Sequence, residues 1–283
     1  MKTSATVAVI CHYAIHGAIQ QDFELIGVSD SSRVVDFHVH SQFSFDGRSS
    51  IDQMCRHAVE VGITDIGFCE HVEFDPGDAA FGFLDYEKYS EAIDEARSSY
   101  GNRLRIRKGL EIGYEEKRER DIRDWLDVRK TDFLIGSIHY VNNIANDAPQ
   151  GWASMRSSTV THGYFSGVRK IVESGLFDIV GHFDLIREYV APNRYNPSEV
   201  SQLIDQIFRL MVSNGTYLEI NSRRRVHDTV PSNDLIQRYL SLGGKRFSFG
   251  SDAHSNDDLG VGIVEAMNLV KNLKPKAFQL VFE

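Results

Sequence analysis

The chain has 283 residues, of which 42% are hydrophobic, 11% aromatic and 25% charged, and this is the composition of an ordinary globular protein. Its 6 prolines and 22 glycines exclude collagen-like or low-complexity chains, and no apolar run approaches the ~18 residues of a membrane span. The formal net charge of −9 argues against general binding to nucleic acid, which requires a basic face.

The three cysteines, Cys11, Cys55 and Cys69, are odd in number and widely spaced. They form no C-x-x-C pair, so neither a disulfide framework nor a zinc ribbon is predicted. We therefore expect the protein to work in the reducing cytoplasm, without a membrane partner.

Residues 1–32 contain only a poor version of a secretory signal. His12 and His16 stand at i,i+4, a spacing that would let them chelate a metal on a helix. The simpler interpretation is a poorly ordered N-terminal extension with two solvated histidines.

From Arg33 onward, short β-type runs alternate with amphipathic helical runs. RVVDFHVH is β-branched and aromatic, and the following SSIDQMCRHAVEVG spaces apolar residues along one helical face after a serine cap. Seven such units of roughly 30–40 residues are typical of parallel βα structure, which closes most easily into a barrel. No linker divides residues 33–283, so we predict a single α/β domain. The later helices are predicted at Val160–Ser174, Pro197–Asn214, Asn233–Leu242 and Val261–Asn272.

Side chains that can bind metal stand at the carboxyl ends of six predicted strands. His38 and His40 are two residues apart and therefore point to the same side of strand one. The other strand ends and their loops supply Asp46, Glu70-His71, Glu111, His139, His182 with Asp184, and Asp252 with His254. The successive intervals from His40 to His71, then to Glu111, His139 and His182, are 31, 40, 28 and 43 residues. Each interval is the length of one βα unit. Since the carboxyl ends of barrel strands share one rim, the six imidazoles are predicted to converge there with three of these carboxylates, those of Asp46, Glu111 and Asp252.

Buried imidazoles and carboxylates crowded together are costly unless something compensates their charge and polarity. Divalent zinc, manganese or iron would do so. Nine ligands exceed the needs of one tetrahedral ion, or of two with open positions, so three ions that share bridging carboxylates fit the count, and we expect two to three equivalents of metal by elemental analysis. A single HxH or Asp-x-His pattern can occur by chance, so the prediction of a metal site rests on the whole set of nine residues.

Other candidate ligands are set aside because of their positions. His57 lies within a helix, and His162 and His227 lie in loop or helix-start segments. Cys69 is expected to be a strand core residue that points away from the site.

Six segments resemble, in their order along the chain, the motifs of the PHP (polymerase and histidinol phosphatase) family. They are HVHSQFSFDG, Glu70-His71 after TDIGFC, GLEIGY, GSIHY, GHFDLI and FGSDAH. More narrowly, they are similar to the stand-alone histidinol-phosphate phosphatases. The resemblance extends from about Val34 to Gly262 and implies a single distorted (β/α)7 barrel of the PHP type with a trinuclear metal centre. The ligands it implies are the same nine residues: His38, His40, Asp46, His71, Glu111, His139, His182, Asp252 and His254.

The sequence departs from the family pattern in two places. The first 33 residues precede the usual start of such chains, and Ser222-Arg223-Arg224-Arg225 stands where small neutral residues are expected. The second departure bears on the substrate more than on the reaction.

The resemblance implies an enzyme that hydrolyses a small phosphate monoester, with L-histidinol phosphate as the leading substrate. The alternatives are another small phosphate, such as a nucleotide or sugar phosphate, a phosphodiesterase acting on nucleic-acid ends, or a non-catalytic metal-binding module. Metal ions would hold the phosphate and lower the pKa of a bridging water toward about 7, which makes hydroxide available at neutral pH. Asp252 or His254 would supply the proton for the leaving group, and Asp184 is a third candidate.

The phosphate itself calls for arginine, whose planar fork binds phosphate through two hydrogen bonds. Arg187 is the first candidate and Arg223 or Arg224 the second, although each could equally form an ion pair on the rim. Arg225 is expected on the surface. The polar stretch Asn142–Thr159 is either a loop over the site or a mobile surface loop.

Overall fold

The computed structural model describes residues 33–146, 148–190, 195–223, 229–273 and 279–280. The predicted extension 1–32, the arginines Arg224 and Arg225 and the histidine His227 lie outside the described residues.

Short strands alternate with helices along the described chain. The strands are β1 Val35–Val39, β2 Asp65–Val72, β3 Arg105–Gly113, β4 Phe133–Ser137, β5 Tyr140–Val141, β6 Ile144–Ala145, β7 Ile179–Val180, β8 Tyr217–Asn221, β9 Arg246–Gly250 and β10 Gln279–Leu280. The helices are α1 Ile51–Val61, α2 Tyr86–Tyr100, α3 Glu119–Leu126, α4 Ser157–Ser174, α5 Ile186–Tyr189, α6 Ser201–Asn214, α7 Asn233–Ser241 and α8 Ile263–Asn272. Short 3-10 segments precede α3, α4 and α6 at Glu116–Arg118, Pro149–Trp152 and Pro197–Val200.

One parallel sheet in the order β1-β2-β3-β4-β7-β8-β9-β10 forms the barrel wall. The first strand also meets the end of β9, because the His40 amide donates to the Ala253 carbonyl at 2.8 Å and the Asp252 amide donates to the His38 carbonyl at 2.8 Å. These bonds bring β9 back to β1, so the seven strands β1, β2, β3, β4, β7, β8 and β9 form a nearly closed barrel. The predicted (β/α)7 barrel is confirmed.

The helices begin and end where local chemistry predicts. At α1, the Ser50 side chain accepts from the Gln53 amide while the Gln53 side chain accepts from the Ser50 amide, which is a capping box. The helix ends at Gly62, whose φ of 81° lies in the left-handed region that glycine adopts without strain. Its buried residues Ile51, Met54, Cys55 and Ala58 follow the predicted apolar face.

Three features differ from the sequence-based expectation. Asn142 and Asn143, with φ of 54° and 60°, form the turn of a hairpin between β5 and β6, because asparagine tolerates the left-handed region. Helix α4 starts at Ser157 rather than Val160. The stretch Asn142–Thr159 thus contains β6, the 3-10 segment Pro149–Trp152 and the start of α4, and the short strand β10 was not predicted. Within the described residues, no helix combines the length and the apolar character that crossing a membrane requires.

Candidate metal centre

The nine predicted ligands meet at the carboxyl end of the barrel. They arrive from β1, β2, β3 and the segments directly after β1, β4, β7 and β9. Glu111 on β3 is at the centre, and its side chain is 1% exposed. Its Oε1 lies 3.0 Å from His182 Nε2, and its Oε2 lies 2.9 Å from His71 Nδ1. Nitrogen atoms of His38, His139 and His40 lie 3.3, 3.4 and 3.5 Å from this carboxylate.

Two further carboxylates approach the same imidazoles. Asp252 Oδ1 lies 3.6 Å from His40 Nε2 and 3.8 Å from His38 Nε2. Asp46 Oδ2 lies 3.1 Å from His254 Nε2, and its Oδ1 lies 3.8 Å from His71 Nε2. The carboxylates therefore interleave with the imidazoles, as bridging ligands between neighbouring ions would.

The donor atoms fit divalent metal ions. Four buried ligand atoms, His38 Nε2, His40 Nε2, Asp46 Oδ1 and Glu111 Oε2, have no hydrogen-bond partner among the described residues. Buried polar atoms without a partner are costly, and all four face the centre of the cluster. Within the described chain, Glu111, His139 and His182 bring donor atoms within 4.8 Å of one another, and so do His40, His71 and His254. Imidazole nitrogen and carboxylate oxygen are donors that zinc, iron and manganese accept.

The two central carboxyl groups are held in the ionised form. Burial by itself would raise the pKa of Glu111, but the positive charge of His38 and the neighbouring imidazoles holds it well below its usual range. Burial likewise opposes ionisation of Asp252, and the Arg223 guanidinium is the main group that keeps the pKa of this carboxyl well below its usual range.

The imidazole of His40 is neutral. Burial is the largest cause that lowers its pKa well below the ordinary value, followed by the charges of His71 and His254. A neutral imidazole is the form that binds metal.

Two buried glutamates orient the imidazoles, and sequence reasoning missed both roles. Glu219 on β8 lies with its Oε1 2.5 Å from His38 Nδ1, and its Oε2 accepts from the His182 amide at 2.5 Å. Glu73 makes a short contact with His139 Nδ1. Such partners on the second ring nitrogen determine which nitrogen faces the metal. The signal was available, since Glu73 follows His71 by two residues and Glu219 is a lone charge in the apolar run TYLEINS.

Glycine makes room for both glutamates. A Cβ at Gly113 would overlap the carboxylate of Glu73, and a Cβ at Gly250 would overlap His38 Cβ and Glu219 Oε1. These two positions therefore require glycine for close approach rather than for a turn.

A third buried glutamate supports the loop that carries Asp46. Glu70 accepts hydrogen bonds from the Ser41 amide at 3.0 Å, the Ser41 hydroxyl at 2.6 Å and the Ser44 hydroxyl at 2.6 Å. Ser44 Oγ also lies 3.2 Å from His40 Nδ1. Glu70 is therefore a support of the site and lies outside the nine-residue cluster.

The expected orientation of Cys69 is wrong. The Cys69 sulfur and one ring nitrogen each of His38 and His40 lie within 4.8 Å of one another. Cys69 is two residues before His71 on β2, so the alternation of side chains directs both to the barrel interior.

A cavity of about 270 Å³ opens above the ligand cluster. Asp46, His71, Glu111, His139, His182, Asp252 and His254 line it, together with Phe45, Glu73, Asp78, Tyr140, Ala145, Asn146, Leu185, Tyr189 and Arg223. Arg223 and Asp252 form a close ion pair. Both have positive φ, 50° and 59°, and such strain in non-glycine residues concentrates at functional sites.

The first-choice arginine and the third acid candidate do not line this cavity. Arg187 donates from Nη2 to the Thr229 carbonyl at 2.5 Å, and its Nε lies 3.7 Å from Asp184 Oδ1. Asp184 is fully buried and accepts from the Ser232 amide at 3.3 Å. Of these two arginines only Arg223 therefore lines the cavity, because the short helix α5 turns Arg187 away while the segment after β8 brings Arg223 in. Arg224 lies outside the described residues.

Part of the segment Asn142–Thr159, together with its neighbour Tyr140, is anchored at the cavity wall. Asn146 donates from Nδ2 to the Ile138 carbonyl at 2.6 Å, and the buried Trp152 donates from Nε1 to the Val141 carbonyl at 3.2 Å. Since Tyr140, Ala145 and Asn146 line the cavity, the hairpin forms part of its wall.

Comparisons with known proteins agree with this geometry. A probable histidinol-phosphatase of Clostridium acetobutylicum is 28% identical over 257 residues, covering 87% of this chain and 97% of the relative. The histidinol-phosphatase of Lactococcus lactis is 26% identical over 249 residues, covering 84% and 90%.

The fold is similar to the crystal structure of histidinol phosphate phosphatase from Lactococcus lactis complexed with zinc, L-histidinol and phosphate. The TM-score is 0.77 at 23% identity, covering 88% of this chain and 95% of that one. The PHP domain family matches residues 36–223, about two thirds of the chain, and this range contains seven of the nine clustered residues, all except Asp252 and His254. The chain belongs to the PHP domain family.

Proposed function

We propose that this chain is a metal-dependent phosphatase that hydrolyses a small phosphate monoester, with L-histidinol phosphate as its substrate. The observation that carries the proposal is the convergence of six imidazoles and three carboxylates around Glu111, under a cavity that Arg223 also lines. The relatives named histidinol-phosphatase and the neighbour complexed with L-histidinol and phosphate support the choice of substrate.

Two to three divalent ions are proposed, and zinc is the first candidate because the Lactococcus lactis structure is complexed with it. His38, His40, Asp46, His71, Glu111, His139, His182, Asp252 and His254 would hold them. When bound, the ions would supply positive charge for the phosphate oxygens and an activated water for attack on phosphorus.

The chain's own residues would bind the ester and handle its proton. Arg223 lies in the cavity wall, where its guanidinium can bind a phosphate oxygen while it pairs with Asp252. His254 lines the same cavity and is 16% exposed, and it would protonate the leaving-group oxygen in the state in which its Nε2 is not bound to a metal ion. Asp184 is assigned no contact with substrate, since it is buried beside the Ser232 amide.

The test combines metal analysis with phosphate release. The purified protein should contain two to three equivalents of metal by elemental analysis and should release phosphate from L-histidinol phosphate faster than from AMP or glucose 6-phosphate. Asp252→Asn should lower kcat by about 100-fold or more, because a charged group in direct contact with the reacting centre is lost. Asp234→Asn, on the exposed start of α7, is the matched control and should keep full activity.

Other outcomes would change the assignment. Faster hydrolysis of the nucleotide or the sugar phosphate would replace the substrate but keep the phosphatase. Bound metal with no hydrolysis of any ester would indicate a non-catalytic metal-binding module. A folded protein that takes up no metal would contradict the whole proposal.

A further inference from the structure

The cavity above the ligand cluster has charged groups of opposite sign on its wall. Arg223 follows β8, and it lines the cavity with Asp252, which follows β9. Asp78 lies in the loop after β2, and Tyr140 begins β5, the strand that comes next after β4 in the chain. In the ring β1-β2-β3-β4-β7-β8-β9, strands β2 and β4 flank β3, and β8 and β9 are the strands farthest from β3. The Asp78–Tyr140 pair and Arg223 therefore lie on opposite sides of the barrel mouth.

The carboxylate of Asp78 is held in one orientation by neutral donors. The Tyr140 hydroxyl donates to Oδ2 at 2.5 Å, and the Ala80 amide donates to Oδ1 at 2.7 Å. Each carboxylate oxygen can accept a further hydrogen bond. Asp78 is thus a preoriented acceptor at the cavity wall, and its position does not depend on the metal ligands.

The negative charge of Asp78 is not neutralised within the described chain. No lysine or arginine of the described ranges lies within 4.0 Å of this carboxylate, and Lys117 instead binds Glu115 and Asn143, each at 2.8 Å. Glu73 lines the same side of the cavity and also carries acidic oxygens. A positive group of a ligand would find a partner here, whereas a second anionic group would be repelled.

A small phosphate ester placed in this cavity has two distinct ends. Its phosphate is attracted to Arg223 and the ligand cluster, so its other end points toward the Asp78 side. A cation at that end gains an ion pair in a partly buried site, where charges are less screened than in water. A neutral end gains only contact with the rings and methylenes of the wall.

We propose that Asp78, oriented by Tyr140, selects phosphate monoesters that carry a positively charged amine or imidazole at the end away from the phosphate. This inference rests on the proposed phosphatase function and adds a residue that discriminates among its substrates. It also explains how an acidic chain can favour a small cationic ester over nucleotides and sugar phosphates at the same metal centre.

The experiment compares two esters in four proteins. L-histidinol phosphate carries an imidazole, which can be protonated, at the end away from the phosphate and an ammonium group between the two, whereas phenyl phosphate ends in a neutral ring. The proteins are the wild type, Asp78→Asn, Tyr140→Phe and Asp75→Asn. Asp75 is the matched control because it lies in the same loop, bonds the Gly77 amide at 2.8 Å and does not line the cavity.

Asp78→Asn should lower kcat/KM for L-histidinol phosphate by about 10- to 100-fold, mainly through KM, the range expected for a hydrogen bond to a charged group. Its kcat/KM for phenyl phosphate should not change. Tyr140→Phe should show the same selectivity with a smaller loss, since the charge remains but loses one orienting bond. Asp75→Asn should match the wild type with both esters.

Inhibition by the products gives a readout that does not depend on turnover of the cationic ester. With phenyl phosphate as substrate, Asp78→Asn should weaken inhibition by L-histidinol and leave inhibition by inorganic phosphate unchanged. Metal content should equal that of the wild type.

The outcomes separate this inference from the proposed function. Equal losses with both esters, or an unchanged kcat/KM for L-histidinol phosphate, would overturn the role of Asp78 while the phosphatase assignment stood. A wild-type protein that hydrolysed both esters with the same kcat/KM would overturn it as well. A metal-loaded wild type that released phosphate from neither ester would overturn the proposed function, and this inference with it.

Discussion

Glu219→Gln is the substitution that tests most directly whether the buried glutamates hold the ligand cluster. Glu219 is 1% exposed and uses both oxygens, one at 2.5 Å from His38 Nδ1 and one accepting from the His182 amide at 2.5 Å. Glutamine keeps the size but has only one acceptor atom. If its oxygen stays on the His182 amide, its NH2 group faces His38 Nδ1, which must then be the unprotonated nitrogen.

This change moves the His38 proton to Nε2, the nitrogen that faces Glu111 at 3.3 Å and Asp252 at 3.8 Å. A protonated Nε2 cannot bind metal, so the variant must either break a buried hydrogen bond or lose a ligand. Replacing outer partners of this kind lowers metal affinity by roughly 10- to 100-fold, which is about 1.4 to 2.8 kcal/mol. The loss of a hydrogen bond to a charged group, about 1.5 to 3 kcal/mol, gives the same range.

The assay is competition for zinc between the protein and a chromophoric chelator, with elemental analysis of the dialysed protein. Glu265→Gln on the exposed face of α8 removes the same charge without touching the cluster and should bind zinc as the wild type does. If Glu219→Gln bound zinc with wild-type affinity while remaining folded, the orientation of His38 by Glu219 would be refuted.

Two further predictions follow from the same geometry. Arg223→Ala should raise KM for the phosphate ester by about 10- to 100-fold because it removes a charged donor from the cavity. Arg187→Ala should leave KM unchanged and lower the thermal stability, since Arg187 donates to the Thr229 carbonyl. Steady-state phosphate release and thermal melts check both variants, and a larger KM effect for Arg187→Ala than for Arg223→Ala would contradict the placement of the two side chains. Burial disfavours the charged form of His139, but Glu73 and Glu111 raise its pKa well above the ordinary value. A proton must therefore leave His139 when metal binds, and the metal affinity should fall as the pH falls through that raised pKa. Glu73→Gln should therefore release fewer protons per metal bound, measured by titration calorimetry in buffers of different ionisation enthalpy, and an unchanged proton count would argue against the role of Glu73.

The elements of the barrel were predictable because their signals are local. The capping residue Ser50, the helical spacing of Ile51, Met54, Cys55 and Ala58, and the apolar runs of β1 and β9 depend on periods of two and 3.6 residues within one segment. The hairpin of β5 and β6 was missed because its strands have two residues each, too few to show any period. Strand β10 is equally short.

The positions of the nine clustered side chains were predictable for a related reason. Parallel strands that share one direction bring their carboxyl ends to one rim, so His71, Glu111 and His139 needed only to be counted from strand to strand. The orientation of Cys69 was within reach of the same alternation, since it stands two residues before His71. The resemblance to the PHP family, confirmed by the match over residues 36–223, supplied the type of barrel.

The sequence by itself determined the parallel barrel and the polar residues at its strand ends, because strand direction and side-chain alternation are properties of a single segment. Only the tertiary structure decided that Arg223 rather than Arg187 lines the cavity. It likewise placed Glu219 against His38 and Asp78 in the wall opposite Arg223. These relations join side chains that are far apart in the chain or lie on irregular loops. Their directions depend on loop conformations and close packing, which no repeating pattern in the sequence encodes.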